Sequence, residues 1–70
     1  MWNLGRWNNF YQIVELVDWR DTEEEVRETL QIWINDEYAN KDIESFSEEQ
    51  DGDTIIITID GDEYCIWEEE

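Results

Sequence analysis

The sequence contains no histidine and no proline, and it has only one cysteine and four basic residues in 70. Without histidine, the chain lacks the usual general acid or base and the dyads and triads built around it. One cysteine cannot form an internal disulfide and does not make a zinc-ligand set. No apolar run approaches the roughly 20 residues of a membrane span, and no basic segment precedes an apolar one as in a signal peptide.

Acidic residues, by contrast, are abundant. The chain carries 21 of them, which gives a formal charge of −17 and a pI near 4.1. Such a charge excludes direct binding to DNA, RNA or an anionic membrane. A mean hydropathy of −0.81 is typical of disorder, but five tryptophans can bury large areas and anchor a small core. We therefore expect one folded domain over residues 1–70 that becomes more stable as salt is added.

The charge is distributed unevenly along the chain. Residues 1–20 have zero net charge, residues 21–41 contribute −5, and residues 42–70 contribute −12 without a single basic side chain. The sequence thus consists of a neutral, tryptophan-rich first part and a strongly anionic second part.

Local patterns predict one helix, over residues 22–39. Thr22 and Glu25 fit a capping box, and the acids of the first turn suit the helix dipole. One face of this helix is apolar, and Ile32 falls off it; the residues of that face are Val26, Leu30, Trp33, Ile34 and Tyr38.

Four strands are predicted, over residues 10–17, 43–50, 53–60 and 62–68. The pairs Asp51-Gly52 and Asp60-Gly61 indicate two-residue hairpin turns. Residues 1–9 could add a short hairpin partner, which the pattern leaves open.

These turns imply a register for the predicted meander. It pairs Ile59 with Asp62, Ile57 with both Tyr64 and Phe46, Ile55 with Ile66, and Ile56 with Ser47. The face turned to the helix then contains Phe46, Ile55, Ile57, Ile59, Tyr64 and Ile66. The opposite face contains Ser45, Ser47, Glu49, Thr54, Ile56, Thr58, Glu63, Cys65 and Trp67.

The expected fold is α+β, with one helix packed on a three- to four-stranded, antiparallel-dominated sheet in the order β-α-β-β-β. We expect the first strand to join one edge in parallel, through a right-handed crossover.

The acids of the meander are the main functional signal. Alternate side chains on a strand lie about 6.6 Å apart on one face, comparable to neighbouring phosphates of a nucleic-acid strand. A basic cleft would attract such an array. The alternatives are a solvated surface that only maintains solubility and an adaptation to high salt. The predicted contact residues are Glu44, Glu48, Glu49, Asp51, Asp53, Asp60, Asp62 and Glu63, with Trp67 as an apolar anchor.

Other chemistry is disfavoured by the same residues. Each Asp-Gly-Asp stretch lacks an oxygen ligand at the fifth position of an EF-hand loop, so we expect no metal site. Acid–base catalysis by paired carboxylates requires a concave site, which so small a domain has little room to form. We expect no enzyme activity and no cofactor.

Trp67, Ile56 and Cys65 should form an apolar spot on the sheet face away from the helix. Tryptophan is enriched at interface hot spots, so this spot is either a partner site or a surface that another segment or a second subunit covers. Cys65 should be inert, because no histidine can activate its thiolate; a disulfide-linked dimer is the alternative.

In size, acidity and architecture the chain resembles the small DNA-mimic inhibitors of phages, which include anti-CRISPR proteins, anti-restriction proteins and inhibitors of uracil-DNA glycosylase. The resemblance implies a stoichiometric inhibitor in the cytoplasm of a host cell. It would act as a monomer or homodimer and fill the basic nucleic-acid channel of a CRISPR effector, restriction enzyme or repair enzyme; we favour the anti-CRISPR branch. The competing hypotheses are a non-catalytic assembly module and a regulatory protein with another kind of basic partner.

Overall fold

The computed structural model describes residues 1–69 and contains one sheet with a helix on one face. Its five strands lie in the order β2-β1-β5-β4-β3, and all neighbours are antiparallel. In chain order the elements are β1 (Trp2–Asn8), β2 (Ile13–Arg20), α1 (Glu23–Glu37), β3 (Phe46–Asp51), β4 (Thr54–Ile59) and β5 (Asp62–Glu68). In these 69 residues no helix is long and apolar enough to cross a membrane.

The first third of the chain differs from the expectation. Residues 2–8 form a full strand, so the order is β-β-α-β-β-β with five strands, and the predicted parallel crossover is wrong. The segment Phe10–Gln12, predicted to start a strand, lies in a hairpin loop. The Asn8 side-chain oxygen accepts from the backbone N–H groups of Phe10 and Tyr11 at 2.9 and 3.1 Å, and Gln12 has a φ of 55°. The strand predicted at 10–17 therefore begins at Ile13 and continues to Arg20.

The meander is confirmed between its last two strands. Ile59 is opposite Asp62, Ile57 is opposite Tyr64 and Ile55 is opposite Ile66, across a turn in which Asp60 and Gly61 have φ values of 49° and 89°. Both central residues have positive φ, as a type I′ turn requires.

The register of β3 was predicted wrongly by two residues. The central residues of its turn are Gly52 and Asp53, because Asp51 is opposite Thr54; among them only Gly52 has a positive φ, 60°. Phe46 is consequently opposite Ile59 and Ser47 opposite Thr58. The strand begins at Phe46 rather than at residue 43. A shift of two leaves every side chain on its predicted face, since the strand period is two.

The core lies between the helix and β1, β4 and β5. Thr22 caps the helix as predicted, since its hydroxyl oxygen accepts a hydrogen bond from Glu25 N at 3.2 Å. The same hydroxyl donates a hydrogen bond to the Glu25 carboxylate at 3.0 Å. Ile32 is 67% exposed, as expected from its position off the apolar face. The core residues are Leu4, Val26, Leu30, Ile34, Tyr38, Ile55, Ile57, Ile59, Tyr64 and Ile66.

Phe46 is the exception on the predicted core face. It lies on the helix side of β3 but is 62% exposed, because the helix leaves a cleft of about 120 Å³ between Leu30, Ile34, Phe46 and Ile57. The expectation that Phe46 is a core residue is therefore wrong.

Candidate interaction surface

The strand β3 forms one edge of the sheet, and all six of its residues are exposed. Glu49 and Asp51 point away from the helix, opposite Ile56 and Thr54 of β4. We call the acids of β3 and its two ends the acidic edge: Glu44, Glu48, Glu49, Asp51 and Asp53. No basic residue follows Lys41 in the sequence, so no side chain of β3, β4 or β5 neutralises the acidic edge.

Glu48 differs from the other acids of the edge because it faces the helix. Arg27 donates to its two carboxylate oxygens at 2.9 and 3.4 Å. These hydrogen bonds, with the charge of the guanidinium, hold the pKa of Glu48 below its ordinary value. The pair connects the helix to β3 beside the cleft, so the charge of Glu48 is already balanced within the protein.

Asp60 and Asp62, also predicted as contacts, hold the fold together. The Asp60 carboxylate accepts from the backbone N–H groups of Glu44 and Ser45 at 3.0 and 2.8 Å, and from the Ser45 hydroxyl at 3.3 Å. Asp62 accepts from the Tyr38 hydroxyl at 2.5 Å. That hydrogen bond, together with burial, raises the pKa of Tyr38 to about 12.

A second tyrosine extends this polar cluster under the sheet. Tyr64, fully buried, donates to Glu37 at 2.7 Å. Arg6 reaches Glu37 at 3.0 Å and Asp62 at 3.8 Å. Burial, followed by the bond to Glu37, raises the pKa of Tyr64. The buried hydroxyl of Tyr64 is thus hydrogen-bonded within the fold, as buried polar groups require.

The sheet face away from the helix, here called the outer face, holds the two remaining predicted contacts. Glu63 is opposite Thr58, and Trp67 is opposite Thr54 on one side and Asn3 on the other. The Trp67 indole lies against Gly5, since a Cβ built there would approach Cζ3 at 2.8 Å and would also collide with Val14. Glycine at this position therefore allows the ring to lie across β1.

An apolar patch on the outer face is larger than the sequence suggested. Through the strand register, Trp67 and Cys65 of β5 continue across β1 to Trp19 and Leu16 of β2. Leu16 and Trp19 are 59% and 52% exposed. The patch, named the outer apolar patch below, consists of Trp7, Val14, Leu16, Trp19, Ile56, Cys65 and Trp67.

Sequence reasoning missed four of these residues: Trp7, Val14, Leu16 and Trp19. A signal was present in Ile13–Val17, where apolar side chains occur on both faces of one strand; such a run predicts a strand covered on both sides. Cys65 lies inside the patch as a free, half-buried thiol. Burial, with a smaller effect of Glu63, raises its pKa, which favours the thiol over the thiolate and slows its reactions at neutral pH.

The structure thus brings together only part of the predicted contact set. Glu44, Glu49, Asp51 and Asp53 lie along one edge and free of ion pairs within residues 1–69. Glu48, Asp60 and Asp62 are engaged within the fold, and Glu63 and Trp67 lie on the outer face. No group of three or more potential ligands among the described residues is arranged to hold a metal ion.

Comparisons of this chain with protein-family models, with curated proteins and with solved structures find no match.

Proposed function

We propose that the protein is a stoichiometric inhibitor that presents its acidic edge as a substitute for the phosphates of a nucleic acid. It would occupy the basic nucleic-acid channel of a target of the host cell, such as a CRISPR effector, a restriction enzyme or a DNA-repair enzyme. The role requires binding alone, with no catalytic step and no cofactor. An anti-CRISPR function is the branch that we favour, on the resemblance in size and charge.

One observation supports this proposal above the others: the segregation of unpaired acids on an exposed edge strand. All three arginines are in ion pairs within residues 1–69, and none contacts Glu44, Glu49, Asp51 or Asp53. Glu49 and Asp51 are two residues apart on one face, about 6.6 Å along the strand. Exposed carboxylates without internal counter-charges attract a basic channel and accelerate association with it.

A second candidate function is supported by the outer apolar patch. An assembly module would bind through Trp67 and its neighbours, and the acids would only maintain solubility. The two functions differ in the residues on which partner binding depends and in how partner binding responds to salt.

The test compares two variants with the same change in net charge. The edge variant neutralises Glu44, Glu49, Asp51 and Asp53 to Gln or Asn. The control neutralises Asp21, Glu24, Glu28 and Asp36, exposed acids on or next to the helix. Each variant removes four negative charges from the formal charge of −17. The measurement is competition with a labelled DNA or guide RNA for purified enzymes of the three target classes, in about 50 mM and about 500 mM salt.

We expect the unmodified protein to displace nucleic acid at a one-to-one ratio from an enzyme of at least one class, and to do so less well in high salt. The edge variant should lose about tenfold or more in affinity, and the control should lose much less. Absence of displacement from all three classes, or an equal loss in both variants, would contradict mimicry. A loss caused by Trp67→Ala instead would favour the assembly module.

A further inference from the structure

The outer apolar patch is a neutral surface on a highly charged protein. Strands β1 and β2 lie in the segment of zero net charge, and the charged side chains of β2 are not opposite the patch residues: Glu15 is opposite Arg6, and Asp18 is opposite Leu4. Glu63, opposite Thr58, is the one carboxylate that β5 adds to this face, and Glu49 of β3 is opposite Ile56 at the margin of the patch. A basic partner would therefore find little charge on the patch, whereas an uncharged apolar surface would fit it.

We infer that the patch is covered by the same patch of a second copy of this chain, so that two sheets pack face to face. Such an interface is self-complementary, as two-fold symmetry requires, and sheets commonly pack through apolar faces at about 10 Å separation. The helix of each copy covers the other face of its sheet, so the pair forms four layers, with the two sheets inside. Trp19 and Leu16 of each copy would lose their exposure to water.

The position of the patch makes this pairing compatible with a charge of −17 on each copy. The patch centres on β1, and β3 lies three strands away at the far edge. A two-fold axis over β1 and parallel to it places the two β3 strands at opposite ends of the dimer, about 30 Å apart at roughly 4.8 Å per strand. This separation exceeds the Debye length of about 8 Å at physiological salt. The acidic edges of both copies remain exposed, so the dimer does not depend on the proposed inhibitory function.

The size of the patch indicates a weak dimer. With the axis over β1, strands β2, β1 and β5 face their counterparts and Ile56 of β4 lies at the margin. Three strands of about seven residues have a footprint of roughly 14 by 23 Å on each copy, which is below the roughly 1,000 Å² in total that a stable interface buries. We therefore expect dissociation in the micromolar range, and we expect salt to strengthen the dimer because it screens the repulsion between copies. Binding to a basic channel has the opposite salt dependence, so a result can contradict one of the two proposals without contradicting the other.

The experiment is sedimentation equilibrium of the full chain over about 5–500 μM in low and high salt. We expect the mass to rise from 8.6 kDa toward twice that value with concentration, and to rise at lower concentration in high salt. Leu16→Ser should weaken the dimer about tenfold or more. The matched control is Ile32→Ser, which removes a side chain that is 67% exposed on the helix.

Circular dichroism of both variants checks that they are folded, and the rate of Cys65 alkylation provides a second measurement. Alkylation should slow as the concentration rises, because Cys65 lies within the covered patch, and Leu16→Ser should remove this protection. A mass of one chain at all concentrations and salts overturns the inference. A dimer that Leu16→Ser leaves intact, or that Ile32→Ser weakens equally, overturns it as well.

Discussion

The two edges of the sheet differ in what they expose. At one edge, β2 presents Val14, Leu16 and Trp19, all more than 40% exposed, and its charged residues include the ion pair between Arg20 and Asp18. At the other edge, β3 presents three acids and no base. Charged edge strands resist pairing with other chains, and β2 lacks this protection on its outer side. The difference teaches that the molecule separates its exposed apolar surface from most of its negative charge.

The most disruptive change to the apolar side should be Gly5→Ala. The added Cβ would collide with Val14 and would lie 2.8 Å from Trp67 Cζ3, so the indole or the β1–β2 hairpin must move. We expect a loss of about 3 kcal/mol in the free energy of unfolding, the upper part of the range for overpacking. Urea denaturation at fixed salt measures it.

A companion variant identifies the cause. In the background of Val14→Ala, the same Gly5→Ala change should cost clearly less, because one of the two colliding side chains is shortened. Equal costs in the two backgrounds would show that Val14 does not contribute to the collision. The comparison thereby tests whether the outer apolar patch is as closely packed as the structure indicates.

On the acidic side, the largest effect should come from Asp60→Ala. This change removes the acceptor for the backbone of Glu44 and Ser45 and places alanine at a φ of 49°, which costs free energy for a residue with a Cβ. We expect a loss of about 1–2 kcal/mol, measured by thermal or urea unfolding.

Asp60→Asn is the matched control for this prediction. Asparagine keeps an acceptor oxygen and tolerates positive φ, so it should retain most of the stability while removing the charge. If both variants unfold alike, the charge rather than the hydrogen bonds of Asp60 holds β3. If Asp60→Asn is stable and inhibits nucleic-acid binding as strongly as the unmodified protein does, then Asp60 anchors the acidic edge and makes no contact with the target.

The elements that sequence reasoning predicted well are those that local chemistry determines. Asp60-Gly61 supplies the positive φ values of its turn, and strict alternation from Thr54 to Trp67 assigns each side chain to a face. Thr22 caps the helix through its own hydroxyl. In each case the determining groups lie within a few residues of one another, so pattern alone is sufficient.

The parts that were missed depend on contacts distant in sequence or on single side chains. Phe10 and Tyr11 have strand-like composition, yet the Asn8 side chain and the conformation of Gln12 make them a loop. Phe46 alternates with the core but remains exposed because packing of the helix leaves that end of the sheet open. Among the acids, composition could not separate Asp60 and Asp62, which bond within the fold, from Glu49 and Asp51, which do not.

The smallest expected effect concerns Glu48, the one member of the acidic edge with a counter-charge. It is 44% exposed in its pair with Arg27, and pairs of this kind contribute about 0.2–1 kcal/mol. Glu48→Gln should therefore lower the free energy of unfolding by less than about 1 kcal/mol at pH 7, and Arg27→Gln in the same background should add little more.

The pH dependence gives this prediction its sign. Hydrogen bonds from Arg27 lower the pKa of Glu48 in the folded protein below the ordinary 4.5, so the pair stabilises the fold above that pH. The contribution is lost as the pH falls through the lowered pKa. The difference in unfolding free energy between the unmodified protein and Glu48→Gln should accordingly shrink between pH 7 and about pH 3. A difference that persists in acid would contradict this account, because glutamine and protonated glutamate have nearly the same shape and neither carries a charge for Arg27 to pair with.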